Sequence, residues 1–249
     1  MHSSREESKK RFIPIKPQRL LEEVHRQLKE AILEGHYKPG DRLPSEQAFC
    51  KEFNVGRPVI REAFRFLENS GLIKVKPGAR GGAFVQKIDS SILFNTFEGI
   101  VKLDGISIEE LHEARLALEK ATLPLIMERI GKADIEALEA NIREVRENVE
   151  KGIRGKRNLA FHVLLFKASR NELLIKIGEA LFALMDKLLD RYEYSEERSR
   201  KVLEKHTAFV ELLKTGEIEK AQQAIESDIK DVIASIREIS NVAKQGQEQ

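Results

Sequence analysis

The sequence of 249 residues predicts a mainly α chain: a winged helix-turn-helix of three helices and a β-hairpin wing, then an antiparallel bundle of about seven helices. Three observations predict it. Between Leu43 and Val85, two short apolar-faced helical patterns flank a glycine-containing turn and lead into a glycine-rich hairpin. After Val85 strand-like alternation disappears, and apolar residues recur at helical spacing almost to the end. Charge divides at the same place: residues 1–87 hold 18 Lys+Arg against 11 Asp+Glu, and residues 88–249 hold 25 against 30. A basic module followed by a slightly acidic one suits a nucleic-acid reader joined to a second function.

Taken in order, residues 1–16 are polar and charged and read as a flexible arm. A first helix follows over 17–34, with Leu20, Leu21, Val24, Leu28 and Ile32 on one side and Gly35 as its stop. Pro44-Ser45-Glu46 opens the second helix, where the Ser45 hydroxyl can cap an orphan backbone N–H; Phe49 and Phe53 share its inner face. Asn54-Val55-Gly56 makes the turn. The third helix begins at Arg57-Pro58, a position where proline's missing N–H costs little. Ile60, Ala63 and Leu67 form its buried stripe, while Arg57, Arg61 and Arg65 recur on another face. Ile73–Lys76 and Ala83–Val85 then flank the turn Pro77-Gly78-Ala79-Arg80-Gly81-Gly82, a basic wing narrow enough to lie against a sugar-phosphate backbone. An arginine stripe can also be a solvated helix face; the turn before it and the wing after it favour DNA.

The winged helix-turn-helix spans 17–87, and the helical domain spans 88–240. Its helices fall near 90–102, 107–130, 133–150, 156–169, 171–193, 196–214 and 217–240, with Pro124 placed to kink the second and a frayed tail over 241–249. One cysteine, Cys50, excludes an internal disulfide and fits a reducing cytoplasm. No apolar run is long enough to span a bilayer, and no signal-peptide core is present, so no membrane partner is expected.

Asn158 and His162, four apart, share a helix face in apolar surroundings; His206 lies two helices on, and Asp228 in the last helix. Residues of these types hold divalent metals, but each is commonly structural, so spacing leaves both readings open.

Residues 32–85, about a quarter of the chain, resemble the winged-helix domain of GntR-family bacterial repressors. The matching residues include Pro39-Gly40-Asp41-Arg42-Leu43-Pro44-Ser45-Glu46, Val55-Gly56-Arg57-Pro58-Val59-Ile60-Arg61-Glu62-Ala63, Gly71-Leu72 and Gly82-Ala83-Phe84-Val85. Gly56 stands where the family usually has Ser or Thr, and Gln47 where an arginine is frequent. The expected DNA contacts are Ser45, Gln47, Gly56, Arg57, Pro58 and Arg61 from the helices, with Lys76, Arg80, Gly81 and Gly82 from the wing.

Residues 90–240 resemble the all-helical FCD ligand domain of the FadR-like subgroup. Its metal-binding members show Asp-x-x-x-His, a histidine two helices on, and a histidine in the last helix. Here Asn158 replaces the aspartate, His162 and His206 are kept, and Asp228 replaces the last histidine, so the carboxylate count is unchanged. The resemblance implies a divalent ion (Zn, Mn or Ni) on Asn158, His162, His206 and Asp228. It also matches Glu113-Ala-Arg115-Leu-Ala-Leu118-Glu119, whose arginine in family members often faces the effector. Arg115 is thus either the anchor of an effector carboxylate or half of a surface pair with Glu119. The implied function is transcription regulation by a homodimer on an inverted-repeat operator in double-stranded DNA, controlled by a small organic acid. A metal-free site for a bulky acyl effector and a metal-dependent helical enzyme are the alternatives; no catalytic base is evident, so an enzyme is not expected.

Overall fold

The computed structural model describes residues 17–78, 80–151, 159–189 and 195–245. The chain divides into two compact units, Met1–Asp89 and Ser90–Gln249.

In the first unit, α1 (Pro17–Leu33), α2 (Glu46–Glu52) and α3 (Arg57–Asn69) precede β1 (Ile73–Lys76) and β2 (Gly82–Val85). Ser45 caps α2, its hydroxyl accepting from the Ala48 N–H at 3.2 Å. Asn54 takes the left-handed conformation that turns the chain, which asparagine tolerates better than most residues. Pro58 lies in the first turn of α3, and Ile60, Ala63 and Leu67 are fully buried against Val24, Leu28 and Phe49. The strands pair antiparallel, Ile73 opposite Val85 and Lys76 opposite Gly82, with an added bridge from Arg42 to Phe84. Gly82 takes φ +140°, and the Arg42 side chain lies only 2.7 Å from where a Cβ would stand. A side chain there would displace that arginine as well as strain the backbone.

The second unit contains seven helices among its described residues: α4 (Ser91–Asp104), α5 (Ile108–Arg129), α6 (Lys132–Glu150), α7 (Leu159–Ala168), α8 (Glu172–Leu189), α9 (Glu196–Thr215) and α10 (Ile218–Gln245). Ser107 and Glu110 start α5 with a reciprocal capping box. The helix runs through Pro124 and packs against α7, α8 and α10. The last helix extends beyond the expected end at 240 to Gln245: no glycine or proline interrupts it before Gly246. Leu123, Leu138, Phe161, Leu165, Phe209 and Ile229 centre one apolar cluster; Phe166, Phe182, Leu184 and Met185 centre another. Gly178 of α8 lies directly against Phe166 of α7. No helix among the described residues is long and apolar enough to cross a membrane.

Candidate functional site

The first unit presents a basic surface built on α3 and the hairpin. Burying Ile60, Ala63 and Leu67 turns the opposite face of α3 outward, so Arg57, Arg61 and Arg65 are all exposed. Arg65 is held by Glu62 at 3.2 Å. Arg57 and Arg61 make no ion pair among the described residues, which leaves their charge for an incoming phosphate or base edge. Ser45, Gln47, Gly56 and Pro58 are exposed beside them, although the Ser45 hydroxyl is already engaged as a helix cap. On the wing, Lys76 and Arg80 are exposed, and the Lys76 ammonium stands 4.9 Å above the Phe84 ring. Gly81 departs from the expectation of a DNA contact. It is buried in the turn, its N–H donates to Gly78 O at 2.8 Å, and a Cβ would fall 2.2 Å from Lys76 O. It shapes the wing from inside.

The second unit buries a polar cluster where α5, α7, α9 and α10 meet. His162, His206 and Asp228 are all buried, and one ligand atom from each lies within 4.8 Å of the others. Asn158 lies outside the described residues. Phe161 stacks on His206 at 4.0 Å and nearly parallel, fixing its ring plane. Burial above all, with the Arg115 guanidinium acting in the same direction, pushes the His206 pKa well below the usual imidazole value; the ring is neutral, as a ligand must be.

Arg115 points inward from α5. Its Nε donates to Glu119 Oε1 at 2.7 Å, Nη2 stands 2.7 Å from His162 Nε2, and Nη2 lies 3.6 Å from Asp228 Oδ2. Arginine can only donate, so His162 Nε2 is the acceptor and the ring proton sits on Nδ1, 3.2 Å from Glu119 Oε1. Burial would raise the Glu119 carboxyl, but Arg115 and His162 outweigh it and hold the pKa at about 2. The surface-pair reading of Arg115 and Glu119 therefore fails on burial: both are less than 4% exposed. The sequence pattern offers Glu119 as a motif residue and as a surface partner of Arg115, not as a buried member of the site. The available signal was a polar series at helical spacing, His112, Arg115, Glu119 and Thr122, and all four are buried.

Two imidazoles and a carboxylate are a donor set suited to Zn, Mn or Ni. Glu119 is placed to hold the His162 tautomer that leaves Nε2 for the ion. Beside the cluster lies a cavity of about 200 Å³, floored by Phe161, His162, Leu165 and His206 and walled by α9 and α10.

The fold and these two sites define a transcriptional regulator: a winged-helix DNA reader with an FCD domain after it in the chain. Residues 20–85 match the family of bacterial regulatory proteins described as gntR, and residues 110–231 match the FCD domain. The chain belongs to the GntR family of bacterial transcriptional regulators. It is 32% identical to the HTH-type transcriptional regulator LutR of Bacillus subtilis (strain 168) over 57% of this chain. That match spans 65% of LutR, just under two thirds of its length. It is 26% identical to the galactonate operon transcriptional repressor of Escherichia coli (strain K12), covering 86% of this chain and 95% of that one. It is 25% identical to the transcriptional repressor NanR of Cronobacter sakazakii, covering 93% and 90%. Among solved structures, Streptococcus agalactiae GntR superposes with a TM-score of 0.60 at 24% identity, over 85% of this chain and 98% of that one, and so shares the fold. The named relatives are regulators, not enzymes, and this chain is of that kind.

Proposed function

We propose that this protein is a cytoplasmic regulator of the FadR-like subgroup, binding an inverted-repeat operator as a homodimer under the control of a small organic acid. Arg57 and Arg61 read base edges or adjacent phosphates from α3, while Lys76, Arg80 and the Gly82 backbone hold the wing on the sugar-phosphate chain. The observation that carries the effector reading is the convergence of His162, His206 and Asp228 in a buried centre. These three, with Asn158, would hold a divalent ion, which supplies a Lewis-acid anchor for the acid's carboxylate. Arg115 offers the planar fork that pairs with the same carboxylate. Acid binding shifts operator affinity to the extent that the DNA-competent and DNA-released states bind the acid differently.

His206→Ala tests the site. The purified variant should lose its metal by elemental analysis and lose the acid's effect on operator binding, while operator affinity without acid stays within about twofold of the parent. Retained metal together with an intact response would remove His206 from the centre.

One observation favours a metal-free reading. The Arg115 guanidinium already faces His162 Nε2 and Asp228 Oδ2, a position in which an organic cation balances the buried carboxylate. Elemental analysis of the parent protein separates the two readings.

A further inference from the structure

Arg57 and Arg61 stand on α3 while Lys76 and Arg80 stand on the hairpin, so one duplex meets both pairs only if the hairpin keeps a fixed tilt on the helix. The two edges of the hairpin are held differently. The outer edge of β2 pairs with the chain before α2: Gly40 N–H donates to Val85 O at 2.8 Å, Val85 N–H to Asp41 O at 2.9 Å and Leu43 N–H to Ala83 O at 2.8 Å. Along β1, alternate residues turn their N–H away from β2. Val75 is one of these, and its N–H donates to Glu68 Oε1 of α3 at 2.9 Å. Among the described residues this is the only hydrogen bond between β1 and α3. Glu68 is exposed, and it lies about three turns past Arg57 and about two past Arg61, on the same face of the helix. It makes no ion pair among the described residues. A bare carboxylate on a face that meets phosphates opposes binding through its charge. What it supplies there is an acceptor aimed at the hairpin.

We infer, resting on the DNA contacts proposed above, that Glu68 is a positioning residue for operator recognition. By accepting from Val75 it fixes the tilt of the wing on α3, and so sets where Lys76 and Arg80 meet the sugar-phosphate chain relative to the bases under Arg57 and Arg61. Val75 comes immediately before Lys76, at the start of the turn that carries Arg80, so a bond at Val75 acts directly on the wing's cations. A hairpin already held in its binding orientation does not lose that freedom when DNA arrives. The brace can bias the hairpin by no more than its own free energy. For one exposed hydrogen bond that limits its effect to about two- to tenfold in affinity per wing.

The test is titration of the full-length protein across salt concentrations, on a duplex that the parent protein selects from a random-sequence pool. Glu68→Ala and Glu68→Gln remove the same charge, but only the glutamine keeps an oxygen that accepts from Val75. Glu68→Gln should bind at least as tightly as the parent, and Glu68→Ala about two- to tenfold more weakly per engaged wing than Glu68→Gln. Adding Arg80→Ala should reduce the salt slope by about 1 per engaged wing in the parent and in Glu68→Gln, and by less than about half of that in Glu68→Ala. Val75→Pro removes the donor instead of the acceptor, at an edge position where proline is tolerated. It should match Glu68→Ala, and combining the two should cost nothing further, because both break the same bond. Equal affinity of Glu68→Ala and Glu68→Gln, or an undiminished effect of Arg80→Ala in the Glu68→Ala background, overturns the inference and leaves the wing on the DNA. No change of slope on Arg80→Ala in the parent takes the wing off the DNA, and the inference falls with that reading.

Discussion

The guanidinium of Arg115 stands 2.7 Å from His162 Nε2 and 3.6 Å from Asp228 Oδ2, the atoms a metal ion would require. Cation and ion would compete for one lone pair, so on the proposed metal reading ion entry would turn Arg115 away, toward the effector carboxylate proposed above. Arg115→Ala should therefore tighten metal binding while abolishing the metal-dependent acid response. Without metal the variant should lose about 3–5 kcal/mol of stability, because the buried Glu119 carboxylate is left without its arginine. Saturating metal should recover part of that loss by mass action. Chelator competition and denaturant unfolding, each with and without metal, check it; unchanged or weaker metal binding would show that Arg115 does not compete.

At the scale of helices, the tightest joint described is that of α7 and α8. A Cβ on Gly178 would fall 2.7 Å from the ring of Phe166, which is itself buried. Alanine in a helix interior gains about 1 kcal/mol over glycine, but overpacking a core costs about 1–3 kcal/mol, and Phe166 is met at its Cβ and Cγ as well as its ring edge. Gly178→Ala should be destabilised in urea, whereas Gly99→Ala on α4, where a Cβ meets nothing within 4 Å, should be stabilised by about 0.5–1 kcal/mol. If the two variants shift in the same direction, the close approach is not what selects glycine at 178. Helices of this kind were legible beforehand because their apolar spacing is local: Ile60, Ala63 and Leu67 announce a buried face from sequence alone. The inward turn of Arg115 was not, since an arginine and a glutamate four apart look the same on a wet face as in a core. Only the arrival of His162 and Asp228 from α7 and α10 decides between them. The place of Gly81 inside the turn was hidden for a related reason: it depends on Lys76 O, which sequence spacing does not position. His162, His206 and Asp228 came forward through family resemblance, because residues so far apart in the chain carry no periodic signal.

For the molecule as a whole, DNA binding by the proposed homodimer would set a measurable electrostatic signature. Each phosphate neutralised contributes about −0.9 to the slope of log K against log salt. Arg80→Ala should thus reduce the magnitude of that slope by about 2 if two wings engage the operator and by about 1 if only one does. Operator titrations across salt concentrations count the wings directly, and an unchanged slope takes Arg80 off the DNA. The apolar clusters bear on a different matter, since Val24, Ile60 and Leu67 pack within the first unit while Leu123, Phe161, Phe166 and Phe182 pack within the second. Substitutions without shared partners add in their effects. On the proposed effector reading, a lineage could retune the cavity wall at Phe161, Leu165 or Ile225 toward a new ligand while α3 and the wing keep their own core. The seam between Asp89 and Ser90 marks a natural point for recombination, where an inherited address on the chromosome can be kept while the chemical it answers to is exchanged.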